Sequence, residues 1–242
     1  MRVALQPGFI LHRRPYRDTS LLVEIFTQEW GRLTLVARGA RGPRSRWRGL
    51  LQPFKPLLLS WAGKGGLGNL SGAEETTPAP PIPTDRLLCG FYVNELLLRL
   101  IQPHDPCSVG LFETYRNTLQ ALACSPFVEP VLRIYEKHLL TELGYGLLLD
   151  SEAVSNQAII AQGLYRYLLD QGPLPMVRER PGPGIPVSGR ALLALHHEAL
   201  DEPALWREIK RLTRAALDLR LQGQVLKTRT LLRAEHQRRL NR

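Results

Sequence analysis

The sequence predicts an α+β protein. A small five-stranded closed barrel is expected over residues 1–80, and a helical bundle over 81–242 with an irregular or short-strand insert at about 150–187. Three observations carry this. Short apolar runs of strand length crowd the first 75 residues, parted by Gly- and Pro-rich joints. A proline-rich stretch, Thr76 to Pro83, reads as an extended, semi-rigid linker. From Asp85 the apolar period changes to the i, i+3, i+4 spacing of helices.

The strands come first. Phe9-Ile10-Leu11-His12 is short and bounded by Pro7-Gly8 and Pro15. Leu21 to Phe26 and Leu33 to Ala37 flank the turn Glu29-Trp30-Gly31-Arg32 and read as a hairpin. Leu57 to Trp61 follows, and Leu67 to Leu70 is a shorter fifth strand beyond the glycine-rich turn Gly63–Gly68. Closing five short strands into a barrel removes their exposed edges. Thr84-Asp85 offers an N-cap for a first helix whose stripe is Leu87, Leu88, Phe91, Tyr92, Glu95, Leu96 and Leu98. Val109 to Ala123 and Val128 to Leu143 are the next two helices, the latter ending at Gly144. Ser188 caps a fourth, Pro203 opens a fifth that Gly223 stops, and Leu226 to Leu240 is a basic terminal segment, helical or frayed.

The 242 residues carry a formal net charge of +10, unevenly placed. Residues 1–70 hold 12 Lys/Arg against 3 Asp/Glu, residues 71–204 hold 9 against 16, and residues 205–242 hold 11 against 3. A basic head and tail around an acidic middle point to a polyanion partner, nucleic acid above all. The apolar runs fall far short of the ~18 residues a membrane span needs, and the N-terminus lacks the apolar core of a signal peptide. A cytoplasmic protein with no membrane partner is expected. Cys89, Cys107 and Cys124 are odd in number, form no C-x-x-C, and read as small core residues rather than disulfides or metal ligands.

The densest feature is Arg38-Gly39-Ala40-Arg41-Gly42-Pro43-Arg44-Ser45-Arg46-Trp47-Arg48, five arginines in eleven residues with no acid. It follows an apolar strand, so an exposed inter-strand loop is expected. Guanidinium forks match phosphate oxygens in pairs, and Trp47 is expected to stack on an unpaired base. The alternative is a solvated basic loop with Trp47 packed on the barrel. Arg13, Arg14 and Arg17, around Pro15-Tyr16, form a second cluster in the first inter-strand loop, a binding side in many oligonucleotide-binding barrels.

Other chemistry finds no footing. Gly63-Lys64-Gly65-Gly66-Leu67-Gly68 spells G-x-G-x-x-G, but no helix can open after it and no βαβ unit surrounds it. His196 and His197 point ~100° apart on a helix and cannot share a metal. There is no P-loop, D-x-D or H-E-x-x-H, so no catalytic residue, metal or cofactor is assigned. In the acidic middle, Arg133 and Lys137 lie one turn apart on an otherwise apolar or acidic helix. They form either an ordinary surface pair or the cationic wall of a groove that captures a peptide's terminal carboxylate.

Several strings, in order, resemble the bacterial recombination mediator family RecO. They are Arg17-Asp18-Thr19-Ser20-Leu21, Leu35-Val36-Ala37-Arg38-Gly39-Ala40-Arg41, Gly49-Leu50-Leu51-Gln52-Pro53-Phe54, Tyr92-Val93-Asn94-Glu95-Leu96 and Leu143-Gly144-Tyr145-Gly146. The likeness runs from about residue 5 to 146 and continues more thinly through Ser188-Gly189-Arg190 and Leu226-Lys227-Thr228-Arg229. It implies an N-terminal OB-fold barrel followed by a helical domain. It implies binding of single- and double-stranded DNA, annealing of complementary strands, and work with RecR in loading RecA onto DNA coated by single-strand-binding protein. It further implies docking of that protein's acidic C-terminal tail on the helical domain, with Arg133 as a candidate contact, and association with the nucleoid. Some members carry a four-cysteine zinc module after the third helix. Residues 147–190 hold no cysteine, so no zinc finger is expected. On the residues alone, an RNA-binding factor on the same barrel stands as the alternative.

Overall fold

A computed structural model describes residues 2–63, 67–76, 80–104, 109–176 and 182–240, with only the backbone of residues 109, 236 and 238–240. Cys107, residues 77–79 of the proline-rich linker and the centre of the Gly63–Gly68 turn lie outside the described residues. The chain forms two compact units, residues 1–124 with 226–242, and residues 125–225.

The first unit is built on a closed barrel of strand order β1-β2-β3-β5-β4. β1 runs Arg2–Tyr16, far longer than the sequence suggests. Its register shifts between Val3 and Gln6 and again between Ile10 and His12. These irregularities bend the strand, so its first half pairs with β4 (Leu57–Ala62) and its second half with β2 (Ser20–Thr27). Pro7 lies next to the first irregularity and Pro15 near the hairpin end, places where a missing amide costs little. Arg13 and Arg14 are therefore strand residues, not loop residues, and the connection to β2 is Arg17–Thr19. β3 (Gly31–Ala37) completes the expected hairpin, and β5 (Gly68–Glu75) closes the barrel by pairing parallel to β3 and antiparallel to β4. Ile10, Val23, Ile25, Leu35, Leu57 and Leu59 fill the interior.

Three helices belong to the same unit: α1 (Leu87–Leu100), α2 (Val109–Cys124) and α6 (Lys227–Leu240). Thr84 and Asp85 enter a 3-10 turn, Thr84–Arg86, and α1 starts without a side-chain cap. The buried face of α1 is centred on Cys89, Tyr92, Val93, Leu96 and Leu97, and Phe91 stands 40% exposed. That face is rotated from the expected stripe because α1 packs on β1, α2 and α6 together. Cys124, the last residue of α2, is exposed and no core residue.

Polar groups fix these contacts. The Asn94 amide donates to the Leu11 carbonyl at 2.9 Å, and the buried Tyr115 hydroxyl donates to Asn94 Oδ1 at 2.8 Å. Burial pushes the Tyr115 hydroxyl above its ordinary pKa, so it stays a donor. Arg32 of β3 donates to the Leu98 and Ile101 carbonyls at 2.8 Å each, closing the C-terminus of α1. Glu95 caps α6: its carboxylate accepts from the Lys227 amide at 3.0 Å and from the Thr228 amide and hydroxyl at 2.9 and 2.6 Å.

Burial alone would raise the pKa of Glu95. The Thr228 and Lys227 donors and the nearby Arg99 charge outweigh it and hold the carboxyl below its ordinary value. A depressed carboxylate stabilises the fold fully above the ordinary carboxylate range, and the gain disappears as pH falls through the lowered value. Glu95→Ala is expected to cost about 1–2 kcal/mol at neutral pH. It should speed hydrogen exchange of the first α6 amides, and its difference from wild type should shrink below about pH 4. Unchanged exchange at pH 7 would show that the cap does not hold the helix.

The second unit holds α3 (Val128–Glu142), a three-stranded antiparallel sheet of order β7-β6-β8, α4 (Gly189–His197) and α5 (Pro203–Leu221). The strands are β6 (Leu164–Leu168), β7 (Gly172–Pro175) and β8 (Ile185–Ser188), so the insert, expected as irregular or short-stranded, holds a small sheet. Tyr165, Tyr167, Val187, Leu192, Leu195, Ile209 and Leu212 form its core with the helices. The Tyr165 hydroxyl accepts the Ile160 amide at 2.9 Å, and burial, against a Leu148 backbone hydrogen bond, pushes the Tyr167 hydroxyl up to about 12. Buried tyrosines thus hold the segment that has no cysteine. Ser188 caps α4 as expected, its Oγ accepting from the Ala191 amide at 3.2 Å.

Candidate nucleic-acid interface

The connection between β3 and β4 is a chain of tight turns rather than an open loop. Gly42, Ser45, Arg48 and Leu50 donate their amides to the carbonyls of Gly39, Gly42, Ser45 and Trp47, three residues back each time. Gly39 and Gly49 take φ of +66° and +75°, which side-chain-bearing residues adopt at a cost. The inward anchors are Leu51 and Trp47.

Trp47 is only 5% exposed and belongs to the barrel core. Its Nε1 donates to the Arg38 carbonyl at 3.0 Å, and the Arg46 guanidinium carbon lies 4.4 Å from its ring centroid. The expected base-stacking role is corrected: the ring is consumed in fixing the loop. An indole amid arginines reads as exposed in sequence, but the large apolar ring gains more from plugging the barrel.

The loop and the β1–β2 turn are tied into one surface. The Arg41 amide donates to the Thr19 carbonyl at 2.8 Å, and Arg41 Nη1 donates to the Arg17 and Asp18 carbonyls at 3.3 Å each. Arg13 Nη1 donates to the Leu51 carbonyl at 2.9 Å, Arg38 Nε to Asn69 Oδ1 at 3.0 Å, and Arg46 Nη2 to the Ser71 carbonyl at 3.0 Å. Asn69 and Ser71 escaped the sequence reading because they follow a glycine-rich turn and carry no charge. Arg13, Arg14, Arg38, Arg41, Arg44, Arg46 and Arg48 are all exposed, and among the described residues none pairs with a carboxylate. The side-chain hydrogen bonds of Arg13, Arg38, Arg41 and Arg46 go to neutral oxygens, so these four are held in place with their positive charge uncompensated. Such a surface has the charge and the donor geometry that phosphate oxygens match.

Arg133 and Lys137 do not line one groove. Arg133 is fully buried in the seam between α3 and α5. Its Nη2 lies 2.9 Å from Glu136 Oε1 and its Nε 3.6 Å from Glu129 Oε1. The Thr213 hydroxyl donates to Glu136. Lys137 turns to the end of α4, donating to the Leu195 and His196 carbonyls at 3.2 and 3.1 Å and to Glu198 at 2.6 Å. Burial would raise the Glu198 carboxyl; Lys137 and His138 outweigh it and hold it low. The i, i+4 spacing does put both cations on one side of α3, but that side faces the packed interior, and both charges are already matched.

Comparison with known proteins bears on the whole chain. Residues 1–79 match the family model for the recombination protein O N terminal, and residues 84–230 match that for its C terminal. The DNA repair protein RecO of Nitrosococcus oceani is 47% identical over 232 residues, covering 96% of this chain and 94% of that protein. Those of Methylococcus capsulatus and Coxiella burnetii are 46% identical over 233 residues and 44% identical over 231 residues, covering 96% of this chain and 94% and 98% of theirs. None of these descriptions names a catalytic activity, and the RNA-binding alternative gains no support from them. Among the described residues no helix is long and apolar enough to cross a membrane. The chain, with its closed barrel, its helices and its arginine-lined barrel end, belongs to the RecO family of DNA repair proteins.

Proposed function

We propose that the protein is a recombination mediator that anneals complementary single strands and helps load RecA onto DNA coated by single-strand-binding protein, with RecR as its partner. The observation that carries this reading is the set of exposed arginines on two tied barrel connections, without a carboxylate partner among the described residues. Two DNA strands repel each other; a cationic surface that neutralises phosphates on both lowers that repulsion and releases counterions. The second unit takes the acidic tail of the coating protein. Arg133 and Lys137 support that docking by holding α3 to α5 and α4, not by meeting the tail's carboxylate. The mechanism breaks no covalent bond.

The test is annealing of complementary strands by the full chain, bare and coated with single-strand-binding protein, with free tail peptide as competitor. The expected result is faster pairing than without the protein, and suppression by the peptide on coated strands only. No acceleration on either substrate would sink the reading.

A further inference from the structure

We infer that Tyr16 is the platform on which this surface seats an unpaired nucleobase, so that it favours single strands over duplex; this rests on the DNA-binding reading above. Phosphate-directed arginines alone do not distinguish a single strand from one strand of a duplex. A stacking ring does, because only an unpaired base can leave its neighbours to cover it.

Trp47 is closed into the core. Phe54, in the same connection, is partly buried with its ring edge-on to Phe91 at 5.0 Å, and Phe26 and Trp30 lie at the far end of the β2–β3 hairpin from the Arg17–Thr19 turn. Tyr16 remains. It ends β1, pairs across the hairpin with Ser20, and keeps part of its surface open. The Arg17 guanidinium carbon stands 5.3 Å from its ring centroid. Exposed Arg14 lies two residues before it on the same strand.

The turn beside Tyr16 is held from behind. Arg17 takes φ +52°, a left-handed conformation that a side-chain-bearing residue adopts only at a cost. The Arg41 bonds to the carbonyls of Arg17, Asp18 and Thr19 keep it there. The ring and the guanidinium are thereby presented together before any ligand arrives. A base against the ring meets a π face, and the adjoining guanidinium adds a cation over that stack or a fork for the phosphate that follows. The ligand is a single strand with at least one unstacked base.

The test compares wild type, Tyr16→Ala and Tyr16→Phe for binding to a fluorescent oligothymidylate and to a duplex of equal length, across a salt series. Tyr16→Ala is expected to weaken single-strand binding about 5- to 100-fold, with duplex affinity and salt slope unchanged. Tyr16→Phe should bind as wild type, since it keeps the ring. Equal losses on both substrates, no loss on the single strand, or a matching loss in Tyr16→Phe would overturn the assignment. An abasic strand supplies a readout that needs no variant: it keeps every phosphate, and wild type should bind it about as weakly as Tyr16→Ala binds the normal strand. Abasic and normal strands bound equally by wild type would also overturn it. Wild type that binds neither strand nor duplex would instead refute the DNA-binding reading itself.

Discussion

Replacing Arg41, Arg44, Arg46 and Arg48 together by alanine is expected to weaken single-strand binding about 100- to 1,000-fold at about 0.1 M salt. Each phosphate neutralised contributes roughly 0.7 to the slope of log affinity against log salt on single strands, and about 0.7 decades of affinity at that salt. Four lost contacts should flatten the slope by nearly three. The structure divides the four into two kinds. Arg44 and Arg48 stand exposed on the outer turns, and Arg44→Ala/Arg48→Ala should remove charge alone and about half of the slope change. Arg41 and Arg46 also hold the loop to the β1–β2 turn and to β5. Arg41→Lys keeps a cation but cannot bond two carbonyls and a phosphate through one planar fork. It should therefore lose affinity with little change in slope. Binding of the quadruple variant equal to wild type at every salt concentration would remove this surface from consideration.

That division was not legible in the sequence, although much around it was. The β2–β3 hairpin follows from two apolar runs and Gly31, and α4 and α5 from Ser188 and Pro203, because each signal is local. β1 runs past Pro7 and Pro15, which are breakers in an ordinary strand yet tolerable next to an irregularity and near a hairpin end. The arginine cluster was legible as composition. Its tethering was not, since it depends on neutral oxygens of Arg17, Asp18, Asn69 and Ser71 brought in by barrel closure. Trp47 shows the limit most directly: neighbouring charges say that a segment reaches the surface, not which of its side chains turns back. The Glu95 cap joins residues 132 and 133 apart in the chain, and no local pattern announces it.

The same limit applied to Arg133, and its buried network supports the second large effect. Removing one partner leaves the other as an unpaired, fully buried charge, so Arg133→Ala or Glu136→Ala is expected to destabilise the second unit by about 3–5 kcal/mol. Arg133 and Glu136 are both fully buried, and the Thr213 hydroxyl completes the set from α5. Desolvating an ion pair is itself costly, so the pair need not be the most stable filling of this space. Arg133→Met/Glu136→Leu/Thr213→Val removes all three polar groups at nearly constant volume and should recover most of the loss, or exceed wild type by about 1–4 kcal/mol. Denaturant unfolding of the full chain, with hydrogen exchange of the α3 and α5 amides to locate the change, separates the cases. Lys210 and Glu129, 2.9 Å apart at the more open edge of the same seam, provide the internal control. Lys210→Ala breaks a partly solvated pair and should cost about 1 kcal/mol or less. A single Arg133→Ala variant as stable as Lys210→Ala would mean that the seam admits water, and that the guanidinium is free to turn outward toward a carboxylate after all.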